Sequence, residues 1–166
     1  MISRRGRLHP PNGTSRLLAK AASPWAATVQ GLAAAAALRR EGRPWLPVAL
    51  SAPSAIGAAK VLKKLTARER PGFTRFKSKG KESFPSSHVA GHAAVLAALW
   101  CLAPRSNGWR GGLIAACGLP FAIGVERVCA GRHWPTDVIA GATLGTAVGL
   151  ALGGFARRAA AGRQAQ

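Results

Sequence analysis

Arg127, His133 and Asp137 stand six and four residues apart in the stretch E-R-V-C-A-G-R-H-W-P-T-D-V-I-A-G, which runs from Glu126 to Gly141. Pro135 suits the first turn of a helix, so a helix is expected to start near Trp134. His133 would then sit at its mouth, with Asp137 about one turn further in. A carboxylate one turn from a histidine can accept the Nδ1–H. That contact fixes the tautomer and leaves Nε2 free to attack or to take a proton. Arg127 adds a planar, permanently charged fork that matches phosphate. The plain alternative is a helix N-terminus with a capping acid and two surface cations.

Two further clusters have the same character. Lys63 is followed by Arg70-Pro71, and Pro85-Ser86-Ser87-His88 comes later. Taken singly each has an ordinary explanation: Lys63 and Arg70 as solvated charges, Ser86 as a helix N-cap, His88 as an interfacial histidine. Whether they act together depends on the elements that carry them. Five apolar runs are visible: Trp25–Leu38, Trp45–Leu62, His88–Ala103, Gly111–Val125 with Pro120 inside it, and Val138–Phe155. If successive runs alternate in direction, the loops after the second and the fourth lie at one end of a bundle. Lys63, Arg70, Ser86, His88, Arg127, His133 and Asp137 are then expected to converge there. His92 is one turn from His88, but no acidic or sulfur ligand accompanies the pair, so no metal site is expected.

The composition favours a membrane bundle over a soluble one. The 166 residues fit one domain, carry a net charge of +19 and are 48% hydrophobic, with the charges clustered between apolar runs. Trp25, Trp45, Trp109 and Trp134 fall near the ends of those runs, where membrane proteins place aromatic belts. Gly141, Gly145, Gly149 and Gly153 recur at every fourth position of the last run, a spacing that lets membrane helices approach closely. The expected fold is all-α, an integral membrane bundle of four to five transmembrane helices. Residues 1–24 form a basic arm, 25–156 the membrane-embedded domain with a polar loop at 63–85, and 157–166 a basic tail. The loop mixes eight cations with Phe73, Phe76 and Phe84. That mixture suits single-stranded nucleic acid or anionic lipid headgroups, and the flanking apolar runs favour lipid. Cys101, Cys117 and Cys129 lack C-x-x-C spacing and are expected to be buried thiols.

The three blocks K-x6-R-P (Lys63–Pro71), P-S-x-H (Pro85–His88) and R-x5-H-x3-D (Arg127–Asp137) together resemble the type-2 phosphatidic acid phosphatase family, in its order and in the wording of its bacterial membrane branch. That resemblance covers the chain from Lys63 to the last helix. It implies a phosphatase/haloperoxidase-like core that needs no metal or other cofactor. Lys63, Arg70 and Arg127 would hold the phosphate, with Ser86 and the Ser87 backbone N–H as further donors. His133 would attack phosphorus to form a phosphohistidine, Asp137 would orient it, and His88 would act as acid and then base. Two positions depart from the family. Ser87 stands where a glycine is usual, which would be strained if that position required φ > 0. Glu126 stands where a serine is usual, and can either pair with Arg127 against phosphate or orient its guanidinium.

The implied function is hydrolysis of a lipid phosphate: phosphatidic acid, phosphatidylglycerophosphate, or a polyprenyl phosphate or pyrophosphate. The implied surroundings are a bilayer with anionic lipids, and no nucleic acid is expected. A catalytically silent membrane scaffold and a basic nucleic-acid-binding protein are the alternatives. The expected location is the bacterial inner membrane, multi-pass. With Trp25–Leu38 outside the span, cations outweigh at the end opposite the cup, and the positive-inside rule predicts an extracytoplasmic active site. If that run spans, the basic arm joins the cup and the rule reverses.

Overall fold

The computed structural model describes residues 23–71 and 82–164. The fold is all-α, with six helices among the described residues: α1 Pro24–Arg40, α2 Leu46–Thr66, α3 Ser87–Leu102, α4 Asn107–Ala116, α5 Gly118–Cys129 and α6 Pro135–Gln164. Among the described residues, the extended pairing is a single antiparallel bridge between Glu69 and Glu82.

Local chemistry accounts for the helix ends. The Ser23 hydroxyl accepts the Ala26 N–H at 3.1 Å, and Pro24 takes the first turn of α1. Ala67 closes α2 in the left-handed conformation (φ 45°), its N–H returning to the Lys63 carbonyl. The fourth apolar run breaks at Cys117 into α4 and α5. Pro120 has no N–H for the carbonyl four residues back, and its ring crowds that carbonyl, so the helix restarts. α6 opens at Pro135, one residue after Trp134. It runs on through 157–164, so most of the expected tail is its last two turns. The expected arm lies outside the described residues except for Ser23 and Pro24.

α3 is the central helix and packs on α1, α2, α5 and α6. Its tightest contact is with α6. A methyl group added at Gly141, Gly145 or Gly149 would run into the backbone carbonyls of Ser86, Ala90 and Ala94 respectively. The glycine row thus lets two backbones touch. α1 runs beside α3 in the same direction. Ala27 meets Gly91, Gln30 Oε1 lies 2.9 Å from His92 Nδ1, Gly31 meets Val95, and Arg43 after the helix donates to the Leu102 carbonyl at 2.9 Å. The run 25–38 is therefore a lengthwise member of the bundle.

The bundle buries several polar groups beside its apolar core and turns large apolar side chains outward. Ser51, Ser86, His92, Arg127, His133 and Asp137 are buried, while Trp25, Phe121, Phe155 and Ile139 face outward. Water disfavours such an exterior; lipid does not. Asn107–Cys129 and Pro135–Arg163 are long and apolar enough to cross a membrane, and Ser87–Leu102 is apolar but shorter. The same outward turn of apolar positions corrects the expectation for the thiols. Cys117 and Cys129 are exposed and Cys101 is half-buried, because apolar positions on these helices point to the outside of the bundle as often as to its core.

Candidate active site

The end of α2, the start of α3, the end of α5 and the start of α6 meet at one end of the bundle. With the segment 67–71 and the loop 130–134 they form a cup. At its floor lies Asp137, fully buried. Its Oδ2 accepts the Trp134 N–H at 2.8 Å and lies 3.4 Å from His133 Nδ1. An acid in the first turn of α6 thereby satisfies the backbone donor just before the helix, as in a capping box. Because Nδ1 faces the carboxylate, Nε2 is the ring nitrogen left for a ligand. Burial holds the His133 pKa below the ordinary histidine value, Lys63 and Arg70 lower it further, and Asp137 opposes them. His133 is therefore neutral at pH 7, the state in which an imidazole is a nucleophile.

Opposite stands His88, with ring centroids 6.4 Å apart and the planes at 67°. Its Nδ1 has no hydrogen-bond partner among the described residues. Neither has the Ser86 hydroxyl, although Ser86 is fully buried and occupies the N-cap of α3. The expected side-chain cap is not made. Ser86 is instead tied through its backbone, its N–H donating to the Asp137 carbonyl at 2.9 Å. A buried hydroxyl without a partner is costly, and here it is ready for a ligand oxygen. The N–H groups of Ser87, His88 and Val89 open the helix and so have no intrahelical acceptor. Ser87 is not strained: Ala67 is the one non-glycine residue with positive φ among the described residues. The glycine usual at position 87 is thus not required by backbone conformation here.

Three cations rim the cup. Lys63 Nζ donates to the Ser83 carbonyl at 2.9 Å, and Arg70 Nη1 to the Arg132 carbonyl at 2.9 Å. Arg127 is buried with Glu126 beside it, Nε to Oε2 2.8 Å. The angle of that contact is not that of a hydrogen bond, since both atoms lack such a partner, so it is a charge contact. It engages Nε of Arg127. The sequence reading missed Arg68. Its Nη1 donates to Asp137 Oδ1 at 3.0 Å and to Thr136 Oγ1 at 2.7 Å. The available signal was alternation: in an extended segment Arg68 and Arg70 share one side and Glu69 takes the other. His92 faces away to Gln30. No group of three or more possible metal ligands occurs among the described residues.

Beside the cup an apolar groove of about 620 Å³ lies between α3, α4–α5 and α6. It begins at Val89 and Val138, each next in sequence to a residue of the cup, and extends past Leu96 and Ile139 to Trp100 and Leu150.

Comparison with known proteins identifies the family. The model of the PAP2 superfamily matches residues 44–159. Lipid A 1-phosphatase of Rhizobium etli is 38% identical over 97 residues, which is 52% of this chain but only 39% of that protein. Decaprenylphosphoryl-5-phosphoribose phosphatase of Mycobacterium tuberculosis is 28% identical over 144 residues, 79% of this chain and 73% of that one. Among solved structures, a transmembrane PAP2 type phosphatidylglycerolphosphate phosphatase from Bacillus subtilis superposes with a TM-score of 0.61 at 26% identity, covering 89% of this chain and 87% of the other.

Proposed function

The chain belongs to the PAP2 superfamily, and from that premise we propose that it is a multi-pass membrane phosphatase that removes phosphate from a lipid through a phosphohistidine. The observation that carries this reading is the His133–Asp137 pair set opposite His88 inside a rim of cations. Lys63, Arg70 and Arg127 bind the phosphate oxygens and neutralise charge as it builds up in the transition state. The Ser86 hydroxyl and the Ser87 N–H donate to the same group at a helix N-terminus, a favourable place for an anion. His133 Nε2 attacks phosphorus, the P–O bond to the lipid breaks, and His88 protonates the departing oxygen. His88 then takes a proton from water, which attacks the phosphohistidine and releases inorganic phosphate. The apolar groove beside the cup supports a lipid tail, and the named relatives act on lipid A, a decaprenyl phosphosugar and a phosphatidylglycerol phosphate. The candidate substrates here are phosphatidic acid, phosphatidylglycerophosphate and polyprenyl phosphates or pyrophosphates.

The test is phosphate release by purified protein from a panel of these lipids. Release is expected to survive EDTA and to be inhibited by vanadate, which can take the place of pentacoordinate phosphorus at His133. Loss on chelation, restored by a divalent ion, would point to another catalytic machine. No release from any member would favour the silent scaffold. A pH prediction follows from the burial of His133. The group must be neutral to attack, and its pKa is lowered from about 6.5. The acid limb of kcat/KM, which reports the free enzyme's base, should therefore lie below pH 6.5. A limb at or above that value would contradict a nucleophile in this environment.

The side of the membrane depends on α1. The arm before α1 lies outside the described residues; by chain order alone, a spanning α1 that runs along α3 from its first turns puts the arm's five cations in the count for the cup's side. Fifteen lysines and arginines then belong to that end and eight to the other, leaving Lys60 inside α2. On that count the positive-inside rule favours a cup facing the cytoplasm; with 25–38 not spanning, the same rule gives the extracytoplasmic site expected from the sequence. Lys64→Cys, in a background without the three native cysteines, should be labelled by an impermeant maleimide only after the membrane is opened. Labelling in intact cells would restore the extracytoplasmic assignment.

A further inference from the structure

Arg68 occupies one of the six unspecified positions of the first sequence block, yet it makes the shortest side-chain contact to Asp137. It is held on several sides. Nη1 reaches Asp137 Oδ1 at 3.0 Å and Thr136 Oγ1 at 2.7 Å. The guanidinium carbon lies 5.6 Å from the centroid of the Trp134 ring and 6.0 Å from that of Phe84, within cation–π range of both. The backbone is fixed as well: the Arg68 carbonyl accepts from the Ser83 N–H at 2.8 Å, and the Trp134 indole N–H donates to the neighbouring Glu69 carbonyl at 3.1 Å.

We propose that Arg68 is a positioning residue that divides the Asp137 carboxylate with His133 and so governs both the aim and the charge state of the nucleophile. The inference rests on the reading of His133 given above. The distances state the division. The carboxylate is 3.0 Å from the arginine and 3.4 Å from the imidazole, so in the resting protein it leans towards Arg68. A cation at hydrogen-bond distance attracts the carboxylate's negative charge towards itself. It also draws off part of the field that would otherwise favour an imidazolium at position 133. The other groups around His133 are Lys63 on α2, Arg70 on the segment after it, His88 on α3, and Arg127 and Arg132 near the end of α5. Glu82 and Glu126 stand with Lys63 and Arg127. Asp137 is therefore the acid that acts on His133 directly, and its strength is set by how firmly Arg68 holds it. When Nε2 bonds to phosphorus the ring gains positive charge. The second oxygen of Asp137 can then close on Nδ1 while Arg68 anchors the first.

A staple that merely fastened the segment 67–71 to α6 would affect stability and leave the titration of His133 alone. Arg68→Gln keeps a hydrogen-bonding group of similar reach and removes the charge. In that variant the acid limb of kcat/KM should move up by about one pH unit, towards the ordinary histidine value. At its optimum kcat should fall at least tenfold, with KM for the same lipid phosphate within about twofold. Arg68→Lys should return the limb most of the way. Titration of His133 by ¹⁵N NMR in detergent micelles needs no turnover, and its midpoint should move up in parallel. If Arg68→Gln does not fold, Thr136→Val removes the second acceptor of the fork and should move the same midpoint in the same direction by less. An unmoved midpoint in whichever of these variants folds would overturn the proposal. A rise in KM at constant kcat would also overturn it and would make Arg68 a direct phosphate ligand. Failure of the underlying reading looks different: His133→Ala would then still turn over lipid phosphate, whatever Arg68 does.

Discussion

His133→Ala is expected to leave no measurable phosphate release, a loss of about 10⁵-fold or more, the scale on which deleting a hydrolase nucleophile acts. The expectation rests on the lack of a substitute among the described residues. His88 is the other imidazole of the cup, but no carboxylate meets its Nδ1 to fix the tautomer. The cations would still bind phosphate, so a substrate analogue should retain most of its affinity. That combination, binding kept and chemistry lost, is what separates a missing nucleophile from a collapsed site. Phosphate release by the purified variant, compared with its retention of a non-hydrolysable phosphate analogue, is the measurement. Turnover within tenfold of the parent, at matched expression, would remove His133 from the mechanism.

Asp137→Asn is expected to cost about 10³- to 10⁴-fold in kcat, by analogy with a hydrolase triad whose acid is replaced by its amide. Three donors converge on the carboxylate: the Trp134 N–H, Arg68 Nη1 and His133 Nδ1. An asparagine has one oxygen to offer them, and its NH₂ must face at least one donor. If the NH₂ faces His133, the ring takes the wrong tautomer and Nε2 carries the proton. If it faces Arg68, a half-exposed cation loses its partner, and the loss of the pair destabilises by up to about 1 kcal/mol after solvent screening. The two outcomes separate experimentally. The first lowers kcat with little change in melting temperature; the second lowers both. Activity within tenfold of the parent and an unchanged melting temperature together would show that the carboxylate is not used.

Much of this site was legible in the sequence because its residues lie at helix ends. Pro135 announces a helix start, and Asp137 two residues on must then lie in its first turn beside His133. Alternation of apolar runs brings the end of α2 and the start of α3 to the same place as α5 and α6. What was not legible depends on contacts between segments far apart in the chain. Arg68 looked like any loop cation, because its partners Asp137 and Thr136 are nearly seventy residues away. Ser86 has the residue type of an N-cap, but its backbone is claimed by the Asp137 carbonyl and its hydroxyl turns elsewhere. Trp25–Leu38 is short for a span by length alone, and its packing on α2 and α3, with Gln30 against His92, makes it part of the bundle. The cysteines were misjudged for a reason of solvent: an apolar neighbourhood in sequence means burial in water, but it means either face in a bilayer.

The close seam between α3 and α6 has a practical corollary for anyone wishing to make the protein more robust. Exchanging glycine for alanine within a helix ordinarily adds up to about 1 kcal/mol. At Gly141, Gly145 and Gly149 the same exchange would act as a shim. Ser86 and His88 ride at the top of one helix and Asp137 at the top of the other, so a methyl group in the seam would wedge the acid–base side of the cup away from its nucleophile. A thermally hardened variant should therefore be sought at Gly57, Gly154 and Gly162, where an added methyl would meet nothing within 4 Å. The row at 141, 145 and 149 is the gauge that sets the width of the site.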